Sequence, residues 1–399
     1  MIKPILRFEY FNQCWEEYYL GEISSKIGSG STPKGGASVY CTSGIPFIRS
    51  QNINNNSLQL DDIVYIPTEL NEKMKSSKVK PNDILLNITG ASIGRSCVAP
   101  LYFTQGNVNQ HVCIIRLTHG NPKFFQSYLS SSKGQELING FQSGSGREGL
   151  NFQNIKSMRI FAPTIEEQNK IADFLSSVDE KIALQSSKVE LLRQYKKGIL
   201  QKLFSQKIRF KDSNGIVFPK WTRQSISDIA EVNPKSKVLP DDFIYIDLES
   251  VQSGRLVQFK KMSKIDAPSR AQRLLKFDDV LFQLVRPYQK NNLHFREQQV
   301  CVASTGYVQL RAKCNAAFLF QLLHLDGFTD QVMNRCTGTS YPAINSSDLA
   351  SIQCEIPCLE EQRKIANFLV SIDDKINLEN TKLDKLKQWK QGLLQQMFV

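Results

Sequence analysis

The chain of 399 residues has no CxxC pair among its nine cysteines; the closest two are Cys354 and Cys358. A zinc ribbon and a dithiol redox motif are therefore excluded, and an odd count closes no disulfide framework. Most of the cysteines read as small buried apolar side chains. Four histidines, His111, His119, His294 and His324, show no metal-ligand spacing, so no metal site is expected. No apolar run approaches the ~18 residues that span a bilayer, and the opening MIKPILRFEY lacks a continuous apolar segment. A cytoplasmic protein without membrane association is expected.

Catalytic signatures are missing as well. Asn233-Pro234 is followed by Lys235, so the Asn/Asp-Pro-Pro-Tyr/Phe signature of methyl transfer does not occur. The glycine-rich stretch Gly30 to Gly36 lacks the Lys-Ser/Thr pair that holds phosphates and Mg²⁺ in a P-loop, and reads as a plain loop. Pro240-Asp241 and Glu249 resemble a nuclease carboxylate pair, but Val251 stands where such a site needs lysine. No catalytic residue is assigned to this chain.

What the sequence does have is positive charge and a repeat. Fifty Lys and Arg against 38 Asp and Glu give a formal charge of +12, which makes a polyanion, nucleic acid first, the natural partner. The stretch EEQNKIADFLSSVDEKI from Glu166 returns as EEQRKIANFLVSIDDKI from Glu360. The same shift lays Asn121 on Asn315, Pro163 on Pro357, Gln168 on Gln362, Asp179 on Asp373, Gly198 on Gly392 and Phe204 on Phe398. Upstream the register drifts, and Arg209-Phe210 and Trp221 echo Arg7-Phe8 and Trp15. A period of this size means two like domains rather than a solenoid.

Each half begins as a variable mixed unit. Runs 45–49, 63–66, 84–88 and 111–117 in the first, and 243–247, 279–285 and 306–310 in the second, alternate β-branched and aromatic residues between turn clusters and predict strands. A single clear helix follows in each, opened by Asn121-Pro122 or by Asn315. Thr164 three residues before Glu167 predicts a capping box for the first copied helix; the second has Cys358 at that cap and keeps Glu361.

Along the copied helices, Ile171, Leu175, Val178, Ile182, Val189, Leu192, Ile199 and Leu203 follow steps of four and three if Gln185 and Lys196 are counted as polar members. The second copy keeps the stripe, with Glu379 and Lys390 as its polar members. This is a heptad seam. A helix of ~40 residues rises ~60 Å, so the two copies are expected to zip together antiparallel, with one unit at each end and pseudo-twofold symmetry. Two amphipathic helices lying on separate domains is the plainer alternative. Lys196 is expected near Glu379, and Gln185 near Lys390.

The fold class is therefore α+β: two mixed α/β domains, 1–162 and 207–356, separated by a long antiparallel two-helix coiled coil from 163–206 and 357–399. With PTIEEQNKIADFL and PCLEEQRKIANFL each closing a variable unit, the chain resembles the specificity (S) subunit of type I restriction-modification systems. Pieces such as GSGSTPK, IPFIRSQNI and ITGASIGR extend the likeness into the first unit; the second offers RPYQKNN where the first has ITGASIGR. The resemblance implies a non-catalytic reader of double-stranded DNA in a bipartite, asymmetric site, one target-recognition domain per half. It also implies two modification (methyltransferase) subunits docked on the helices and restriction (ATP-dependent translocase/nuclease) subunits joining them. S-adenosylmethionine, ATP and Mg²⁺ would belong to those partners, with no cofactor in this chain. A stand-alone DNA-binding scaffold or regulator is the alternative reading, and a processing enzyme with an unfamiliar site is a second.

Groove readout wants Arg, Asn and Gln on base edges, and phosphates want Lys and Arg. In the first unit Arg49, Gln51, Asn52, Arg95 and Arg147 are the candidates, with Lys75 and Lys78 of the basic run EKMKSSKVK as phosphate contacts. In the second, Arg286, Tyr288, Lys290, Arg335 and Ser340 occupy comparable places.

Overall fold

The computed structural model describes residues 3–142, 149–236, 238–252 and 254–399. The chain forms two compact units, Met1–Ser186 with Thr381–Val399, and Ser187–Asn380. The division runs through both copied helices, the central one Ile165–Phe204 and the distal one Leu359–Met397, so each unit owns half of each. Paired glutamates in both first turns, Glu166-Glu167 and Glu360-Glu361, complement the positive end of the helix dipole.

The first unit is built on a four-stranded antiparallel sheet in the order Ser24–Ser29, Val112–Leu117, Ile84–Asn87, Ser96–Val98. A three-stranded sheet places Ile45–Ile48 between Val64–Ile66 and Asn107–Val108, parallel to the latter. The predicted strands are present with ends trimmed by a residue. The predicted helix is instead two, Pro122–Ser130 and Ser132–Gly140, because Ser131 ends the first turn run and caps the second by accepting from Gly134 N. Asn121 caps the first helix as expected, accepting from Lys123 and Phe124 amides.

The second unit repeats this plan. Its four-stranded sheet runs Ala230–Val232, Tyr307–Ala312, Asp279–Gln283, Leu293–His294, and Asp242–Ile246 lies parallel to Cys301–Ser304 in a second sheet. Asn315 caps the helix Ala316–Leu322, and here too a second helix follows, Asp326–Met333.

The residues common to the two halves are the ones that tie each sheet to its helix. Glu167 is 1% exposed and accepts from Arg7 Nε and Nη2, both at 2.7 Å; Glu361, fully buried, accepts from Arg209 Nη2 at 2.7 Å and Trp221 Nε1 at 3.0 Å. The capping-box expectation for Glu167 is thus corrected: its carboxylate serves a guanidinium 160 residues earlier, since a buried charge needs a charged partner more than a cap needs a second bond. Gln168 Oε1 accepts from Asn121 N at 2.9 Å and its Nε2 donates to Pro163 O at 2.8 Å; Gln362 does the same with Asn315 and Pro357. In each sheet a buried carboxylate, Asp83 or Asp279, is held bidentate by Arg116 or Arg311.

The two long helices meet in both units. In the first, Ile171, Leu175 and Val178 share one core with Leu393, Met397 and Phe398. Phe398 packs edge-on against Trp15 and Tyr128 and tilted against Phe124. In the second, Leu200 and Leu203 share a core with Ile365, Leu369, Ile372 and Ile376, and Phe204 packs on Trp221 and Phe318. Within that unit Lys188 pairs with Glu379 at 3.0 Å and Lys196 with Asp373 at 2.7 Å, so one helix rises in number as the other falls: they are antiparallel.

The expected register is corrected by these pairs. Lys196 meets Asp373 rather than Glu379, and in the first unit Lys390 meets Asp179. Ile372, the seam residue next to Asp373, stands seven positions before Glu379, one heptad, so the apolar layers match almost as well in either register. The carboxylates Asp179 and Asp373 decide between the two.

Candidate nucleic-acid interface

Antiparallel pairing in the first unit brings the ends of Ser24–Ser29 and Ile84–Asn87 and the starts of Ser96–Val98 and Val112–Leu117 to one sheet edge. Gly30 N donates to Asn109 O and Asn109 N to Ile48 O, both at 3.1 Å, which adds the loop after Ile45–Ile48 to the same edge. A side chain at Gly30 is impossible there: its Cβ would lie 1.7 Å from Val108 O. Asn87 Nδ2 donates to Ser50 O at 2.9 Å and Ser92 Oγ at 3.2 Å, stitching loops 49–52 and 88–95 together.

Arg49, Gln51 and Arg95 therefore stand on one rim. Gln51 and Arg95 are exposed; Gln51 Nε2 reaches Asp62 Oδ2 at 3.2 Å, and Arg49 Nη2 donates to Asp62 O at 3.0 Å. Asn52 differs from expectation. It is 1% exposed, its Oδ1 accepts from Arg49 N at 2.9 Å and its Nδ2 donates to Gln59 O at 3.2 Å, so it shapes the turn that carries Arg49 and has no amide edge left for a base. Arg147 lies outside the described residues; Gly149, among them, forms a bridge with Thr89.

Lys75 is exposed on the 3-10 turn Lys75–Ser77. Lys78 bridges by backbone to Asn107 and pairs with Glu72 at 2.5 Å, a contact that lowers the Glu72 carboxyl pKa. Sequence reading passed over Gln110 and His111. Gln110 Oε1 accepts from Thr32 N at 2.8 Å and His111 Nδ1 lies 2.5 Å from Thr89 Oγ1, linking three loops of the same rim. Their only sequence cue is their place just before a strand.

In the second unit the corresponding edge carries the 3-10 turn Pro287–Gln289 after Asp279–Gln283. Arg286 and Lys290 bracket it with φ of 53° and 54°. The matching turn of the first unit, Gly90–Ser92, opens on Gly90 at 71° and is followed by Gly94 at 84°, the same four positions apart. Thus ITGASIGR and RPYQKNN, unlike as sequences, each carry a 3-10 turn with two left-handed residues four positions apart, glycines in the first and cations in the second. A left-handed non-glycine residue costs ~1 kcal/mol or more and persists where the surroundings over-determine it. Here Arg286 N donates to Pro342 O at 2.7 Å, and Lys290 Nζ to Asp326 Oδ1 at 2.7 Å and His324 O at 2.9 Å.

Lys290 is thereby anchored inward, and its ammonium is committed to protein acceptors rather than facing out. Its hydrogen bond, followed by that of Lys197, holds the Asp326 carboxyl below the usual aspartate range. Arg286 lies 4.3 Å over the ring of Tyr341, which is 65% exposed and sits beside exposed Ser340. Tyr341 is a further surface aromatic that sequence reading missed, because nothing local marks a tyrosine that stacks on an arginine 55 positions away. Tyr288 is half exposed on the turn; Arg335 is exposed and its Nη1 donates to Gln331 O at 2.9 Å.

The first rim offers guanidinium and amide groups and the second guanidinium, hydroxyl and aromatic groups on loops at the end of a sheet, the kind of groups that read base edges and grip phosphates. Among the described residues no group of three or more His, Cys, Asp or Glu could hold a metal ion, and no helix is long and apolar enough to cross a membrane.

Comparison with known proteins bears on the same point. The chain is 23% identical over 339 residues to the Type I restriction enzyme MjaVIII specificity subunit of Methanocaldococcus jannaschii, covering 79% of this chain and 78% of that one. It is 30% identical over 172 residues to the EcoBI specificity subunit of Escherichia coli, covering 40% and 35%. In structure it is similar to the type I restriction-modification S subunit of M. genitalium, with a TM-score of 0.61 at 16% identity over 100% and 99% of the two chains. A chain from a study of complex assembly and conformational transition of a type I R-M system gives 0.55 at 15% identity over 96% and 97%. Residues 12–194 and 279–388 match the family described as Type I restriction modification DNA specificity domain, and the chain belongs to that family.

Proposed function

We propose that the chain is the non-catalytic sequence-reading subunit of a type I restriction-modification complex, in which each unit reads one half of a bipartite, asymmetric double-stranded DNA site. The paired helices set the spacer between half-sites and dock two modification subunits, which carry adenine-N6 methylation; restriction subunits add ATP-dependent cleavage. S-adenosylmethionine, ATP and Mg²⁺ are bound by those partners. In the first unit Arg49, Gln51, Arg95 and Arg147 face the DNA with Lys75 and Lys78 on its backbone; in the second, Arg286, Tyr288, Arg335 and Ser340 do so.

One observation carries this reading: both rims have a turn with two left-handed residues four positions apart but differ in its side chains, Gly90 and Gly94 against Arg286 and Lys290. A common scaffold with unlike reading edges is what two different half-sites require. Mapping N6-methylated adenines in host DNA with the gene present and deleted tests it. A bipartite methylated motif that vanishes on deletion is the expected result. Co-purification separates the alternative of a stand-alone regulator, which would bind its site specifically without modification subunits.

A further inference from the structure

A recess of about 390 Å³ lies in the second unit where its recognition sheet meets the long helices. Four cations line it, Lys196, Arg255, Lys290 and Arg296, against one lining carboxylate, Asp373. Two of these cations are already engaged: Lys196 by Asp373 at 2.7 Å and Lys290 by Asp326 at 2.7 Å. The other two are not. Arg255 and Arg296 are exposed, and among the described residues neither has a carboxylate within ion-pair distance. Arg296 rests against the face of Phe277, its Cζ 5.9 Å from the ring centroid, which steadies the guanidinium without neutralising it. One wall of the recess is Gln289 and Lys290, the last residue of the 3-10 turn that carries Tyr288 and the residue after it.

Two uncompensated guanidinium groups beside a reading turn repel one another unless an anion lies between them. Guanidinium matches a phosphate by parallel N–H···O bonds. We infer that Arg255 and Arg296 clamp a backbone phosphate of the DNA bound by the second unit, fixing the register of the turn 286–290 on its half-site. This rests on the DNA-reading function proposed above and adds two contacts that carry no sequence information.

The test uses the chain assembled with its modification subunits, binding a cognate and a scrambled duplex across a salt series. Each lost phosphate contact removes about 0.9 from the slope of log K against log salt. Arg255→Ala/Arg296→Ala is expected to weaken binding of both duplexes alike and to lower the slope by about two, while Arg255→Lys/Arg296→Lys keeps most of it. An unchanged slope in the alanine variant, or a loss confined to the cognate duplex, overturns the clamp. Loss of the slope in both variants alike, with a lowered melting temperature, also overturns it, because the effect is then structural. Inorganic phosphate supplies the remaining arm: if it raises the wild-type melting temperature while the DNA slope is unmoved by the alanine pair, the ligand is free phosphate and the DNA assignment falls. A wild-type complex that prefers no duplex would sink the sequence-reading function, whereas the slope on the scrambled duplex would still decide the clamp.

Discussion

Arg7 donates Nε and Nη2 to the two carboxylate oxygens of Glu167, both at 2.7 Å, and fastens the start of the chain to the first turn of the central helix. Glu167 is 1% exposed, so removing the cation strands a buried charge. Arg7→Ala is expected to cost ~3–5 kcal/mol, read as a lowered thermal midpoint, while Arg7→Met with Glu167→Leu recovers most of it. A small effect of the single change would mean that Glu167 is solvated.

Phe398, the penultimate residue, is 3% exposed among Trp15, Phe124 and Tyr128. Its truncation to alanine is expected to destabilise by ~3–5 kcal/mol. Hydrogen exchange localises the effect: amides 123–130 of the helix Pro122–Ser130 should lose protection, although about 270 positions separate them from the change. Unaltered protection there would detach the distal helix end from the first unit.

Lys196 and Asp373 set the helix register. A double-mutant cycle on Lys196→Ala and Asp373→Ala should give a coupling of about 1 kcal/mol, and the cycle of Lys196 with Glu379 close to none. The reverse outcome restores the register read from the polar seam positions.

Arg286 occupies a left-handed backbone position that the first unit gives to glycine. Arg286→Gly is expected to leave the thermal midpoint unchanged or slightly raised, since strain of ~1 kcal/mol is relieved. DNA preference in one half-site should nevertheless relax by ~1–3 kcal/mol, measured by competition with single-base variants. Retained preference would remove Arg286 from the reading edge.

His324 donates Nδ1–H to Phe320 O at 2.7 Å, and burial pushes its pKa down to about 4. Nearby Lys196 and Lys290 push the same way, and Asp373 opposes them. The folded pKa is below the unfolded value of about 6.5, so the unfolded chain takes the proton first. Stability is full above pH ~6.5 and falls by up to ~1.4 kcal/mol per pH unit as pH drops from there toward 4. His324→Gln should flatten that part of the pH–stability curve; an unaltered slope would place the titration elsewhere.

Much of the scaffold was legible because its causes are local. The Asn121 and Asn315 caps, the β-branched strands and the long heptad stripes each follow from side-chain chemistry within a few residues. The repeat exposed Gln168 and Gln362, whose amides close the same two bonds in both halves. The reading edge was less legible. Asn52 looks like a base reader in sequence and is spent inside its own turn, while Tyr341 is unremarkable in sequence and lies beneath Arg286.

The order of elements and the doubling of the chain were thus set by sequence alone, since apolar period and capping residues act over short distances. Helix register, the partner of Glu167 and the left-handed turn at Arg286 were decided only by tertiary structure. A heptad stripe fits its neighbour almost equally well one repeat along, and a buried charge or a strained turn is tolerated only where distant groups come to meet it.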